Sequence, residues 1–256
     1  MHRRCYLKRN NKKVVDSRWE TKEAQGRVVR EDERSYVKPP IQAKNAFQKQ
    51  FIHALNTKQV IAVMSPAGTG KSFVSMSEVC DWIKKGVYDK MILTRPAVTL
   101  GKTIGLLPGT IEEKFSYFIQ PMINVIKERY GCGFYESGLR NGTIVMQPLE
   151  YIRGHSIKDV VVLDEGQLLN PDELFTMLTR IEEGGKLIII GDPAQRDNRD
   201  GGVDGITWLK GFVERHRLHE HIAVLEATSD DIVRSGLCKD LVKAKEFDMK
   251  HGKKEW

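Results

Sequence analysis

Val60-Ile61-Ala62-Val63-Met64-Ser65-Pro66-Ala67-Gly68-Thr69-Gly70-Lys71-Ser72 is the stretch on which the fold depends. Its first five residues are apolar and partly β-branched, the make-up of a buried parallel strand. A segment of helical pattern, 71 to 85, begins inside the Gly-Lys-Ser that closes the quoted stretch. Glycines at 68 and 70 let the backbone aim its N–H groups inward, and the helix behind them adds the positive end of its dipole. Such a turn cradles phosphates. Lys71 would reach the β and γ oxygens of a nucleoside triphosphate, and the Ser72 hydroxyl would ligate Mg²⁺. The expected phosphate-binding set is Ser65, Pro66, Ala67, Gly68, Thr69, Gly70, Lys71 and Ser72. The opening position of this pattern is usually Gly and here is Ser65, so its backbone must take a conformation open to a side chain.

Working outward, short apolar runs recur at 60–64, 90–94, 143–146, 160–163, 187–190 and 222–225, separated by amphipathic stretches at 71–85, 110–130, 171–182, 205–216 and 231–246. Strands alternating with helices predict βαβ crossovers, hence an α/β domain with a mostly parallel sheet sandwiched by helices. Val160-Val161-Val162-Leu163-Asp164-Glu165 ends a buried strand in two acids. That puts them at the carboxyl edge of the sheet, where ligands of open α/β sheets bind. Phosphoryl transfer to water needs a second carboxylate on the metal and a group to orient the attacking water. Asp164 is the expected Mg²⁺ partner and Glu165 the expected base. The run at 187–190 leads into Gly191-Asp192-Pro193-Ala194-Gln195, where Gln195 is placed to bridge a γ phosphate and the water. Upstream of the first strand, Gln48 offers an amide that can donate to and accept from adenine, or can simply sit on a helix surface.

The formal net charge is +7 over 256 residues, and Arg3, Arg4, Lys8, Arg9, Lys12 and Lys13 supply most of that excess without an intervening acid. The charge therefore describes a short basic arm, able to reach a phosphate backbone or to stay solvated, and not a basic face of the fold. Residues 14–38 are balanced in charge and poor in apolar side chains, and Pro39-Pro40 stiffens the entry to the domain. We expect a charged arm over 1–40, a folded domain over 41–246 and a polar tail over 247–256. No apolar run reaches the roughly 18 residues of a membrane span. Cys5, Cys80, Cys132 and Cys238 lack the close pairing of a zinc site or redox dithiol, consistent with a reducing, cytoplasmic setting.

Taken together, Pro66 to Lys71, Thr94-Arg95-Pro96-Ala97-Val98, Gly105-Leu106-Leu107-Pro108-Gly109, Pro148 to Gly154, Leu163-Asp164-Glu165-Gly166-Gln167, Leu178-Thr179-Arg180-Ile181 and Gly191 to Gln195 resemble, in order, the motifs of the PhoH family. These are phosphate-starvation-inducible P-loop ATPases related to the superfamily-one helicase core. The resemblance spans roughly 42–245, with Ser65 for the opening Gly and Gly166 for the usual Ala after the acid pair. It implies a single RecA-like P-loop domain with ATP and Mg²⁺ as cofactors, and a short form of this kind resembles those encoded by bacteriophages, which would act in the host cytoplasm. We expect no room for an additional nuclease or KH-like RNA-binding module.

Superfamily-one helicases close two RecA-like domains on ATP and draw an arginine from the second. A lone domain is expected to borrow one from a neighbouring copy, with Arg234 the first candidate and Arg180 the second. The resemblance thus implies a homo-oligomer, with a hexamer as the expected form. Arg95, Tyr151 and Arg153 join charge to an aromatic ring, a combination suited to RNA or single-stranded DNA. Two activities fit these residues, a nucleic-acid motor or remodeller and a nucleotide-gated switch with slow hydrolysis. A small-molecule kinase shares the phosphate turn, but the adjacent acids suit activation of water.

Overall fold

The computed structural model describes residues 39–96, 111–152, 154–196 and 202–251. The basic arm, Arg153 and the Gly105 to Gly109 motif lie outside the described residues. Six strands form one parallel sheet: β1 (Val60–Met64), β2 (Met91–Thr94), β3 (Ile144–Met146), β4 (Val160–Leu163), β5 (Lys186–Gly191) and β6 (Ile222–Glu226). Their order across the sheet is β3-β2-β4-β5-β1-β6. Among the described residues, eight helices connect or flank them: α1 (Ala46–Thr57), α2 (Lys71–Lys84), α3 (Ile111–Phe118), α4 (Gln120–Asn141), α5 (Leu149–Ile152), α6 (Pro171–Leu178), α7 (Gly205–His216) and α8 (Gly236–Lys250).

The strand sequences lack alternation because both faces of the sheet are covered. Ile61 and Val63 of β1 pack with Phe51, Leu55 and Met76 on one side. Val60, Ala62 and Met64 pack with Leu174, Ile206 and Leu209 on the other. Every residue of β1, β4 and β5 is buried, the condition that makes a parallel strand read as a continuous apolar run. In the middle of the sheet β5 separates β1 from β4, so the phosphate turn after β1 and the acid pair after β4 stand on either side of the end of β5. This is a single RecA-like α/β domain.

Several boundaries differ from those read off the sequence, each for a local reason. The helical run expected over 110–130 is two helices, because Pro121 has no N–H for a helix interior and instead occupies the first turn of α4. The segment expected to be helical to 182 stops at Leu178, because Ile181 leaves to form a bridge with Ile157. The last helix begins at Gly236, five residues late. Residues Ser229–Asp231 form a short 3-10 turn, capped by Thr228, and the chain after it is bonded to the phosphate turn. Helix α1 is not among the elements read from the apolar runs, although its start carries a plain signal: the Asn45 side chain accepts the backbone N–H of Gln48, an N-cap bond.

Candidate active site

The turn after β1 is built as the sequence requires. Gly68 and Gly70 take φ of 93° and 88°, left-handed values that exclude most side chains. Space is tight as well. A Cβ on Gly70 would lie 2.7 Å from the Gln48 amide nitrogen, and one on Gly68 would lie 3.1 Å from both Arg234 Cβ and Ile232 Cγ2. Ser65, by contrast, is absent from the residues of positive φ, which explains why the position tolerates a side chain. Its buried Oγ accepts the Thr69 hydroxyl at 3.0 Å, tying the two ends of the turn.

Two segments, 45–48 and 231–233, brace the turn from outside. Gln48, buried on α1, donates from Nε2 to the Thr69 carbonyl (2.9 Å) and accepts the Lys44 N–H at Oε1 (2.9 Å). Its amide is therefore turned to the protein, with both of its polar atoms engaged. The Val233 N–H donates to the Gly68 carbonyl at 3.0 Å. Asn45 Nδ2 donates to the Asp231 carbonyl at 2.9 Å, joining the first brace to the last. Arg234 is exposed beside this contact, next to the turn of its own chain. Arg180 lies at the opposite end of the sheet, where its carbonyl accepts the Ile157 N–H ahead of β4.

Inside the turn, Lys71 Nζ donates to the Ser65 carbonyl at 3.0 Å. Burial lowers its pKa, while the carboxylates of Asp192, Asp164 and Glu165 pull it back up. The amine is thus within electrostatic reach of three acids that follow β4 and β5. Asp164 is buried, and its pKa is pushed up to about 6 by burial first and the neighbouring Glu165 second, with Arg95 opposing. A cation beside Asp164 would relieve that cost. Among the described residues no three His, Cys, Asp or Glu side chains form a ready metal cage. One buried carboxylate suits Mg²⁺, which keeps waters and leans on substrate phosphates. The residues present thus fit magnesium triphosphate better than a protein-held metal centre.

Two participants escape the sequence reading. Gln167, buried, donates from Nε2 to Glu165 Oε2 at 2.5 Å and accepts the Asp192 N–H at Oε1 (3.1 Å). Asp192 in turn accepts the Gln195 amide at 2.7 Å and the Ala194 N–H at 3.1 Å. Their sequence signal is membership of the two motifs after β4 and β5, and nothing more. Arg95, expected at a nucleic-acid face, also reaches the acid pair: its Nη2 stands 3.5 Å from Glu165 Oε1. Tyr151 is exposed on α5. A cleft of about 610 Å³ opens beside the turn, between Pro66, Ala67, Gln195 and Thr228 and the α8 residues Val242 and Lys245.

The model of the PhoH-like protein family matches residues 40–246, most of the chain. The chain belongs to the PhoH family. A PhoH-like protein of Bacillus subtilis is 31% identical over 241 residues, covering 93% of this chain and 71% of that relative. Protein PhoH of Escherichia coli K12 is 32% identical over 203 residues, covering 78% of this chain and 56% of its own length. The chain thus spans little more than half of some PhoH relatives. Among solved structures, the large terminase of a thermophilic bacteriophage aligns with a TM-score of 0.49 at 15% identity, covering 80% of this chain and 49% of that one. No described helix is long and apolar enough to cross a membrane.

Proposed function

We propose that this PhoH-family domain binds magnesium ATP at the turn 65–72 and hydrolyses it, coupling turnover to RNA or single-stranded DNA. The observation that carries the reading is the sheet order, which sets the turn after β1 and the acids after β4 on either side of the end of β5, with the charges of Asp192, Asp164 and Glu165 felt by Lys71. In this reading the backbone of the turn and Lys71 hold the phosphates, and Ser72 and Asp164 hold the metal, which supplies charge neutralisation of the phosphates when bound. Glu165 accepts the proton of the attacking water, and Gln195 lies at the γ-phosphate side. Gln48 serves chiefly by holding the Thr69 carbonyl, and so the shape of the turn.

An arginine completing the γ-phosphate side is worth roughly 10³ to 10⁵ in rate where such residues have been dissected. Arg234 is the proposed residue. The Val233 to Gly68 bond sets it beside its own chain's turn, so it can serve in cis as well as from a neighbour. Arg180 would serve a neighbouring copy alone. A homo-oligomer, a hexamer on the family resemblance, and a cytoplasmic place of action complete the proposal, with Tyr151 and Arg153 at the nucleic-acid face.

A second reading, a slow nucleotide-gated switch, draws on one observation: both carboxylate oxygens of Glu165 are already engaged. One assay separates the two. Turnover is measured with and without single-stranded RNA and DNA for the wild type, Glu165→Gln and Lys71→Ala. The ATPase reading expects Glu165→Gln to bind ATP without turnover, since the amide keeps shape and loses basicity, and Lys71→Ala to lose binding. Stimulation by a nucleic acid that falls with added salt marks the motor, and none marks the switch. Normal hydrolysis by both variants would remove the site assignment.

A further inference from the structure

Glu165 is a non-glycine residue of positive φ (56°), in the left-handed region. A side chain with no special liking for that region is strained there, so something must hold it. Its backbone is held by the Asp164 carboxylate, which accepts its N–H at 3.0 Å, and by its carbonyl, which accepts the Leu168 N–H at 2.9 Å. Its side chain is held on both oxygens, Oε2 by Gln167 and Oε1 by Arg95. Both oxygens of this carboxylate thus have partners within the protein.

The Arg95 half of the grip reaches away from the site. Arg95 Nη1 donates to the Phe118 carbonyl at 3.1 Å, at the end of α3. The Arg95 carbonyl accepts the Leu149 N–H at 3.4 Å, at the start of α5. Its Nε is buried with no acceptor among the described residues, so the guanidinium is incompletely satisfied in this pose. The two elements that Arg95 touches carry exposed aromatic side chains, Tyr117 at 69% and Tyr151 at 56% exposure. Ser116 of α3 and Tyr151 of α5 line the same open groove, of about 610 Å³. The groove therefore borders both of the elements that Arg95 touches.

We infer that Arg95 is a positioning residue, a latch that keeps Glu165 away from the attacking water until α3 and α5 are displaced. The inference rests on the ATPase reading above and adds to it the regulation of the site. Gln167 alone does not make such a latch, because its other contact is the Asp192 N–H, within the site. Arg95 is the member of the grip that joins the base to the outer surface.

The test compares wild type with Arg95→Gln, which removes the charge, and Arg95→Lys, which keeps the charge but loses the fork, each first checked for a cooperative thermal transition. Without nucleic acid, Arg95→Gln is expected to raise kcat about fivefold, the factor set by an ion pair of modest strength, while KM for ATP stays within about twofold. Arg95→Lys should fall between the two. Amide hydrogen exchange in the nucleotide-free protein gives a readout independent of turnover: the peptide over 115–123 should exchange faster in Arg95→Gln, because the Phe118 carbonyl has lost its side-chain donor. An unchanged or lowered kcat in a wild type that hydrolyses ATP, or unchanged exchange over 115–123, overturns the latch and leaves the ATPase reading standing. A wild type without turnover removes both. If Arg95→Gln does not fold, Arg95→Lys carries both readouts alone.

Discussion

Two lysines drawn in from solvent stand at opposite ends of the same sheet and have opposite relations to it. Lys186 opens β5, and its Nζ donates to the carbonyls of Leu55 and Lys58 at the end of α1 while lying 5.1 Å from the Trp82 ring centre. Burial alone lowers its pKa to about 8. Lys71 is also lowered by burial, but three carboxylates pull against that cost. Lys186 is a completed contact: carbonyls and an aromatic face satisfy it, and no acid among the described residues offsets its burial. Lys71 rests on backbone carbonyls of its own turn and looks onto acids that repel one another. The difference lies in the acids, and not in the depth of burial.

The comparison is broken most directly by exchanging each lysine for methionine. Lys71→Met should abolish turnover to the detection limit, a loss of at least about 10²-fold, since it removes a fixed positive charge from the phosphate site. It should also erase the rise in melting temperature expected of the wild type with MgATP. Lys186→Met should leave turnover within about twofold and lower stability by about 1–3 kcal/mol, because two helix-end carbonyls lose their donor. The pH dependence separates them further. A lysine whose folded pKa is lowered binds fewer protons folded than unfolded, so its contribution to stability rises as pH climbs from about 8 towards its ordinary value. Denaturant titrations from about pH 7.5 to about pH 10 should show that gain in wild type and a smaller one in Lys186→Met. Loss of turnover in Lys186→Met, with its stability intact, would mean that the two ends of β5 are coupled and the contrast is false.

A sharper version of the comparison concerns packing under the acids. Gly166 follows the acid pair where the family pattern has Ala, and its backbone φ is not in the left-handed region. The constraint is space. A Cβ there would stand 2.4 Å from Ile189 Cγ2 and 2.9 Å from Ile206 Cδ1. Gly166→Ala should therefore cost about 1–3 kcal/mol of stability, read by chemical denaturation, as overpacking commonly does. Combined with Ile189→Ala, it should cost less than the sum of the single changes, because the second substitution makes room for the first. Additive costs would show that the close approach is not what fixes glycine here.

That example marks the limit of what the sequence can disclose. The two strand-to-loop junctions at 60–72 and 160–165 are legible because strand, turn and chemistry lie within a dozen or so residues of one another, and the burial of their strands on both faces leaves an unbroken apolar run. The network around Glu165 is not, because Arg95 comes from a different strand and Gln167 looks like any polar residue opening a loop. The same holds for the brace that Val233 places on Gly68, with more than half the chain between them. Gln48 shows a subtler limit: an amide suited to adenine is equally suited to a backbone carbonyl, and the signal that bears on the choice, Asn45 capping a helix, is local but easy to pass over. Local chemistry survives translation into sequence patterns. Contacts made by the sheet order do not.

Ser65 gives the smallest expected effect and the finest cut. Glycine at this position would restore the usual opening of the phosphate turn, and by motif alone the change should be harmless or helpful. The geometry argues otherwise. The backbone here is not left-handed, so glycine gains no conformational freedom it needs, and it carries the entropic cost of ordering a residue without Cβ, about 0.5–1 kcal/mol. The Thr69 hydroxyl would lose its acceptor on Ser65, though the Pro66 carbonyl at 3.2 Å offers a second one, which limits the loss. Ser65→Gly should therefore lower stability by about 1 kcal/mol, a fall of roughly 2–4 °C in Tm for a domain of this size, with turnover within about twofold of wild type. A higher Tm in Ser65→Gly would show that the serine strains the turn. The phosphate end of the sheet would then resemble a compromise held for function, and the contrast with the fully satisfied Lys186 end would deepen.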